Sequence, residues 1–408
     1  MNRHALTPTV RASNALPTMR RVLVFTAVLS LGCGAPVDLP SGVTCSRTIQ
    51  ASTDSALVQA LSGATSGTCV IAQAGTYRQA LTVPSGVALL GEASASVELG
   101  GGTDTTAVVT LAPNAVLAGV KVTASSAGYG VAGSGKGARL FRVSVTGGKK
   151  VGLLFWCEED CRTDEVSEAT DLTVSGAAVG LMTKGVRVRL KNSTVSKSGG
   201  TSLTSGYGVV ASGGAVLEME GSIVEQNDTL GVLIDGAGAT EATFTSVSVL
   251  DNKGRGLWAQ GLTGTMAAPR LRLVNPTFER NLLVGFGARN STGVLISGGR
   301  IAGTRTGSAS GELPGEVVMV GDGLGLFGGT GELRVDGASV EANQRSQVLV
   351  DSAGTGVVIS PNVNVATAGA LGVVVQRTTN LVDAMNITRP AAGMELSVSA
   401  PTLGVPAR

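Results

Sequence analysis

Histidine is almost missing from this chain. His4 is the single one in 408 residues, aromatic residues make up 3 % and charged residues 15 %. A mature protein lacking the stretch around His4 has no imidazole to serve as general base, metal ligand or triad member. The low charge content excludes a charge-rich disordered protein. No long apolar stretch with a 3.6-residue period is present, which excludes a helical repeat. Glycine is abundant instead, with 59 residues. With Val, Leu and Ala it suits a β-rich solenoid, in which Gly makes corners and small aliphatic residues fill a narrow core.

The N-terminus reads as a targeting segment. From Met19 the chain runs MRRVLVFTAVLSLGC, with Arg20 and Arg21 ahead of ten apolar-biased residues, Val22 to Leu31, then Gly32 and Cys33. A positive start, a short apolar run and a small residue before the cut make a secretory signal, and ten residues are too few to span a bilayer as a helix. The segment resembles a bacterial lipoprotein signal, which implies that Cys33 becomes the first mature residue and carries lipid. A plain secretory signal with a free Cys33 is the alternative. Met19 is a possible true start. Removing residues 1–32 takes away four arginines and no carboxylate, so the formal charge moves from +2 to −2. No basic footprint remains, so nucleic acid is not an expected partner.

Five cysteines are present. With Cys33 lipidated, four remain: Cys45 and Cys69 flank the first ordered segment, and Cys157 and Cys161 close a short loop in WCEEDC. Two local disulfides in an oxidising compartment are the simplest account. A redox or metal pair at Cys157 and Cys161 lacks the two-residue spacing and a second pair. No metal or cofactor is expected. The acidic loop with Glu158, Glu159, Asp160, Asp164, Glu165 and Glu168 matches no calcium-loop spacing.

Three stretches share one grammar: SIVEQNDTLGVLIDG from Ser222, SVLDNKGRGLWAQG from Ser248 and TFERNLLVGFGARN from Thr277. Each has an apolar residue, Asn three positions later, Gly four after that, then an apolar run. The same Gly stands at 130, 152, 180, 208, 231, 256 and 285. Self-similarity at this period marks stacked repeats. One position after each Gly the residue is always apolar: Val131, Leu153, Leu181, Val209, Val232, Leu257 and Phe286. Alternation along a strand sends this column, and the one two residues further on, into a common core. Asn227, Asn252 and Asn281 read as corner residues, tolerant of the left-handed conformation and able to hydrogen-bond stacked neighbours.

This grammar resembles the right-handed parallel β-helix, the pectate-lyase-like superfold. The front end agrees: ALVQALSG followed by AGTY and VPSGVALLGE resembles that family's entry, a short capping helix and then the first coils. Asp54 is the expected cap of a helix over Ser55–Leu61. The resulting organisation is a signal segment at 1–32, a linker at 33–52, an all-β parallel helix at 53–380 and a terminal cap or loose tail at 381–408. Insertions near 157–170 and 302–316 read as loops.

Enzymes of the superfold use carboxylates, Ca²⁺ and Lys or Arg on one outer face. The NTD, DD, GHG and RIK motifs of polygalacturonase-like members are not in this sequence, nor is the DPHD cluster of epimerase-like members. A lyase needs less, and one corner carries candidates. Glu225 and Glu279 occupy one slot two coils apart, roughly 9.6 Å if both point outward. Asp251, Lys253, Arg255 and Arg280 crowd the same corner. A solvated turn of mixed charge is the plainer reading. Ala132, Leu154, Met182, Val210, Leu233 and Trp258 form an outward apolar column by alternation. Such a stripe implies a cover, with the inserted loops as the first choice, or a partner. In the second case Trp258, with Gly287 one coil on, offers a ring for a sugar face. Tyr129 and Tyr207 stand at the edge.

The expectation from sequence is an exported, lipid-anchored, non-catalytic envelope β-helix that binds or adheres to polysaccharide. The alternatives are a divergent lyase or hydrolase of acidic polysaccharide, and a structural spacer. The membrane is reached through the lipid alone.

Overall fold

The computed structural model describes residues 39–407, apart from 93–95, 162–164, 201–203, 312–314, 367–369, 379–383 and 385–386. The signal segment at 1–32, Cys33 and the side chains of Glu158, Glu159, Asp160 and Asp164 lie outside the described residues. Among those described, no helix is long and apolar enough to cross a membrane.

The chain winds as a parallel β-helix with three strands in each full coil. One coil shows the plan: Leu230–Asp235 lies in sheet 1, Glu241–Thr245 in sheet 2 and Ser248–Leu250 in sheet 3. The next repeats it with Arg255–Gln260, Leu271–Val274 and Thr277–Glu279, each pairing parallel with its predecessor. Val179–Lys191 rounds a corner and pairs in sheets 1 and 2. Those two sheets therefore join into one of 26 strands among the described residues, while sheet 3 has 12.

The register bears out the columns read from sequence. Val131, Leu153, Leu181, Val209, Val232, Leu257 and Phe286 pair in series. All are fully buried. The next inward column, including Phe155, Ala211, Ile234, Ala259 and Ala288, joins them in one continuous core. Each large aliphatic side chain buried this way contributes about 1.5–3 kcal/mol relative to exposure.

The Gly column exists for clearance, not for a corner conformation. A Cβ on Gly208 would lie 2.6 Å from the carbonyl oxygen of Gly231, and one on Gly231 would lie 2.5 Å from that of Gly256. Each also faces the Asn amide of the following coil, at 2.6 Å for Gly208 and Asn227. Gly makes the space that Asn fills. Asn227, Asn252 and Asn281 are wholly buried. Asn227 donates its backbone N–H and its Nδ2 to Asn252 Oδ1 at 3.0 and 2.9 Å, and Asn252 does the same to Asn281 Oδ1 at 3.1 and 2.8 Å. The Asn residues do not themselves take the left-handed conformation. That falls to the residue before each: Gln226, Asp251 and Arg280 have φ of 56°, 53° and 54°. The corner is thus a two-residue device: one residue turns the chain, and the next sends its amide along the stack.

The structure differs from expectation in four respects. A strand, Arg47–Ala51, lies within the expected linker and pairs with Thr68–Ala72. Helix α1 spans Asp54–Ser62, and its N-cap is Thr53, whose side chain accepts from the Ala56 N–H. Asp54 instead accepts from the Arg78 N–H at 2.8 Å. Leu57 and Leu61, one turn apart, are buried over the first coils. Neither insertion is a bare loop: the strands Val151–Cys161 and Ser167–Thr170 extend into the first, and in the second Gly307–Ser310 forms an antiparallel hairpin with Val317–Val320. The C-terminal segment is neither end cap nor loose tail, as described below. Cys45 pairs with Cys69 and Cys157 with Cys161, as the spacing implied.

Replacing Asn252 with Ala strips acceptors from two buried Asn227 donors. It should cost about 2–4 kcal/mol, read as a lowered denaturant midpoint. Gly231→Ala, which forces apart two backbones, should cost at least as much; an unchanged midpoint in both would refute the clearance argument.

Candidate functional site

Sheet 3 places Glu225, Leu250 and Glu279 in one column, so the two carboxylates do sit two coils apart. Much of the corner's charge is already paired. Arg280 donates to Asp251 through Nε at 3.0 Å and Nη2 at 2.8 Å, and to Glu279 through Nη1 at 2.7 Å. Arg300 bridges Glu279 and Glu341. Lys253 pairs with Asp228 at 2.8 Å. The Glu279 side chain, 17 % exposed, is held between two guanidiniums. The cluster reads as a chain of ion pairs stapling successive turns.

Arg255 is not at this corner. It lies in sheet 1, buried, with its guanidinium 4.9 Å from the Trp258 ring. Burial pulls its pKa down to about 10, against an opposing effect of Tyr207, and burial pushes the Tyr207 phenol up to about 12. Trp258 is 0 % exposed and stacks on Phe327 at 5.7 Å. The space expected over Gly287 is filled by the indole itself, whose edge packs where a Cβ would stand. The open aromatic platform read from sequence is therefore corrected to a sealed one.

What seals it is the C-terminal segment. Gln376 and Gln260 stand in one column of sheet 1, four coils apart. Gln376 exchanges two hydrogen bonds with the backbone of Leu396, both 2.8 Å, and Gln260 does the same for Leu403, both 2.9 Å. Between them Arg345 donates to the Ser397 carbonyl at 2.6 Å, and Arg255 to the Ser399 carbonyl and hydroxyl at 3.2 and 2.9 Å. The strap runs back along the helix axis and buries Val398 and Leu403 against Trp258, Phe327, Leu349 and Val374. From Trp258 onward the outward column is covered by the tail, where the inserted loops had been expected; in earlier coils Ala132 and Leu154 line a cleft of about 310 Å³ with Tyr129 and Trp156.

The outer face of sheet 2 is built differently. Glu168, Arg189, Glu218, Thr243 and Arg272 follow one another in one column. They lie within or beside a cleft of about 520 Å³ whose lining includes Arg187, Arg189, Glu218, Glu241, Thr243 and Arg270. Glu218 accepts from Arg187 Nη2 at 2.8 Å and from Arg189 Nε at 2.9 Å. Arg189 also donates to Glu168 at 3.0 Å, and Arg270 pairs with Glu241. Burial alone would raise the Glu218 pKa, but the hydrogen bonds and charges of Arg187 and Arg189 outweigh it and hold the carboxyl below the usual range. An acid held ionised in this way cannot act as a proton donor near neutral pH. Sequence reasoning missed this face. The available signal was the alternation RVRLK at 187–191 followed one coil later by VLEME at 216–220, with opposite charges in matching slots.

The family described as Right handed beta helix region matches residues 177–364. The chain is a right-handed parallel β-helix. Solved structures similar to it include the Dettilon tailspike protein gp208, at 13 % identity over 80 % of this chain and 68 % of that one, TM-score 0.47. The pectate lyase Pel9A matches at 14 % identity over 81 % and 82 %, TM-score 0.40. The Streptococcus pneumoniae surface protein and adhesin PfbA matches at 9 % identity over 82 % and 92 %, TM-score 0.39. No curated protein matches the sequence.

Two outcomes follow from this geometry. Truncation before Glu395 should uncover Trp258, shift its fluorescence to the red and promote association through the bared stripe; an unshifted spectrum in a folded variant would contradict the strap. The folded Glu218 pKa lies below its unfolded value. Its contribution to stability is therefore complete above the ordinary glutamate range and is lost as pH falls through the folded pKa. Glu218→Gln should flatten the acid limb of the stability-against-pH curve and leave its slope above about pH 6 unchanged.

Proposed function

We propose that this chain is an exported, lipid-anchored, non-catalytic β-helix that binds polysaccharide along the outer face of sheet 2. The observation that carries the reading is the cleft of about 520 Å³ crossing successive coils, lined by guanidinium, carboxylate and hydroxyl groups. Its rungs repeat at about 4.8 Å, a periodic row of polar groups on a rigid support. A repeating polymer laid along the axis meets similar groups at each coil. Elsewhere the tail covers sheet 1 from Trp258 onward, and ion pairs occupy much of the sheet 3 corner.

Binding without turnover is supported by the state of the carboxylates. Glu218 and Glu241 are each salt-bridged to arginine. The arginine whose pKa is lowered, Arg255, is buried beneath the tail. Export is supported by the disulfides Cys45–Cys69 and Cys157–Cys161, which persist in oxidising compartments. The lipid anchor rests on the sequence around Cys33.

The expected outcome on a glycan array is binding that falls at least about tenfold in Arg189→Ala, as for loss of a charged hydrogen-bonding group, with no release of shortened or unsaturated products. Product release from any polymer would overturn the non-catalytic reading. Mass spectrometry of the mature N-terminus should find lipidated Cys33; any other first residue removes the anchor.

A further inference from the structure

Building on that reading, we infer that the sheet 2 groove selects uncharged, hydroxyl-rich polysaccharide and discriminates against polyuronates and other acidic polymers. The argument is one of charge already spent. Among the groups lining the cleft, three arginines, Arg187, Arg189 and Arg270, stand with three glutamates, Glu218, Glu220 and Glu241; beside them Lys191 pairs with Glu220, Glu168 with Arg189, and Arg272 follows Thr243 in the column. The pairing is direct: Arg187 and Arg189 converge on Glu218, and Arg270 meets Glu241. A carboxylate of an acidic polymer entering the groove would meet anions as near as cations. It would also have to compete with Glu218 for guanidinium groups already held at 2.8 and 2.9 Å. Like charges brought together in a half-buried site cost more than a surface pair returns.

A sugar hydroxyl faces the opposite situation. It both donates and accepts, and an arginine–glutamate pair presents both functions side by side. A guanidinium carries five N–H donors and a carboxylate about four lone-pair sites, so each keeps capacity after pairing with the other. Arg187 spends Nε and Nη2 on a single oxygen, Glu218 Oε1. Arg270 directs Nε to the Thr263 carbonyl and Nη1 to Glu241. The remaining N–H groups and lone pairs lie along a row that the exposed Thr243 hydroxyl continues. Adjacent hydroxyls on a pyranose ring can bridge such a pair, donating to the carboxylate and accepting from the guanidinium. The ion pairs also hold these groups in place before the ligand arrives, which lowers the ordering cost of binding.

Affinity electrophoresis of the full chain through gels carrying dextran, galactomannan or mixed-linkage β-glucan, against polygalacturonate and alginate, tests this directly. Retardation is expected with one or more neutral polymers. It should be unchanged between low salt and about 0.5 M sodium chloride, where exposed charges are strongly screened. Glu218→Gln and Thr243→Tyr should each weaken retention about tenfold or more. The first removes the charge and replaces one of the two acceptor oxygens with a donor, and the second fills the groove without touching an ion pair, so it stays informative if the first variant is destabilised. Retention by polygalacturonate or alginate that fades with salt would overturn the selectivity while leaving polysaccharide binding intact. Retention by no polymer at all would overturn both, as would retention indifferent to Thr243→Tyr.

Discussion

The fold depends on how closely one coil can lie on the next. Parallel coils stack at the spacing of β-strands, and at the corner before sheet 1 nothing larger than hydrogen fits between successive backbones. Gly answers that constraint, and the buried Asn of the following coil occupies the space so created. The amide then satisfies a backbone N–H and a side-chain donor of the preceding coil. A buried amide without a partner would be costly, so at Gly208, Gly231 and Gly256 the two residue types occur as a pair, while Gly180 and Gly285 face Ser198 and Thr304.

Once the coils are in register, each outward face becomes a set of columns, and the three faces have separate fates. Sheet 1 presents aliphatic residues, Trp258 and Phe327, and from Trp258 onward is sealed by a peptide held through glutamine and arginine side chains. The sheet 3 corner presents opposite charges that pair along the stack. Sheet 2 presents paired charges as well, but in a cleft. The difference between these last two faces is shape, since the chemistry of their side chains is nearly the same.

Much of the architecture was legible before any coordinates. Val209 and Val232 could be placed one above the other because every coil repeats the same inward position, and repetition averages out local ambiguity. The disulfide partners followed from short separation. The corner was read half correctly: Asn252 does bond its stacked neighbours, but the left-handed turn belongs to Asp251. Adjacent residues can share a corner's two tasks in either order, and the pattern does not tell which does which.

The candidate site was less legible. Arg255 follows Asp251 by four residues, yet the chain turns between them, so one faces the tail and the other a row of ion pairs. Arg187 and Glu218 are 31 residues apart and meet because the intervening coil has a particular loop length. By itself the sequence determined the solenoid, its core columns, its capping helix and its cross-links, because these arise from periodic or local rules. The tertiary structure alone decided that Trp258 is sealed and that the sheet 2 cleft is open. Those outcomes depend on where a non-repeating tail of about a dozen residues lies across five coils, and no period in the sequence encodes that path.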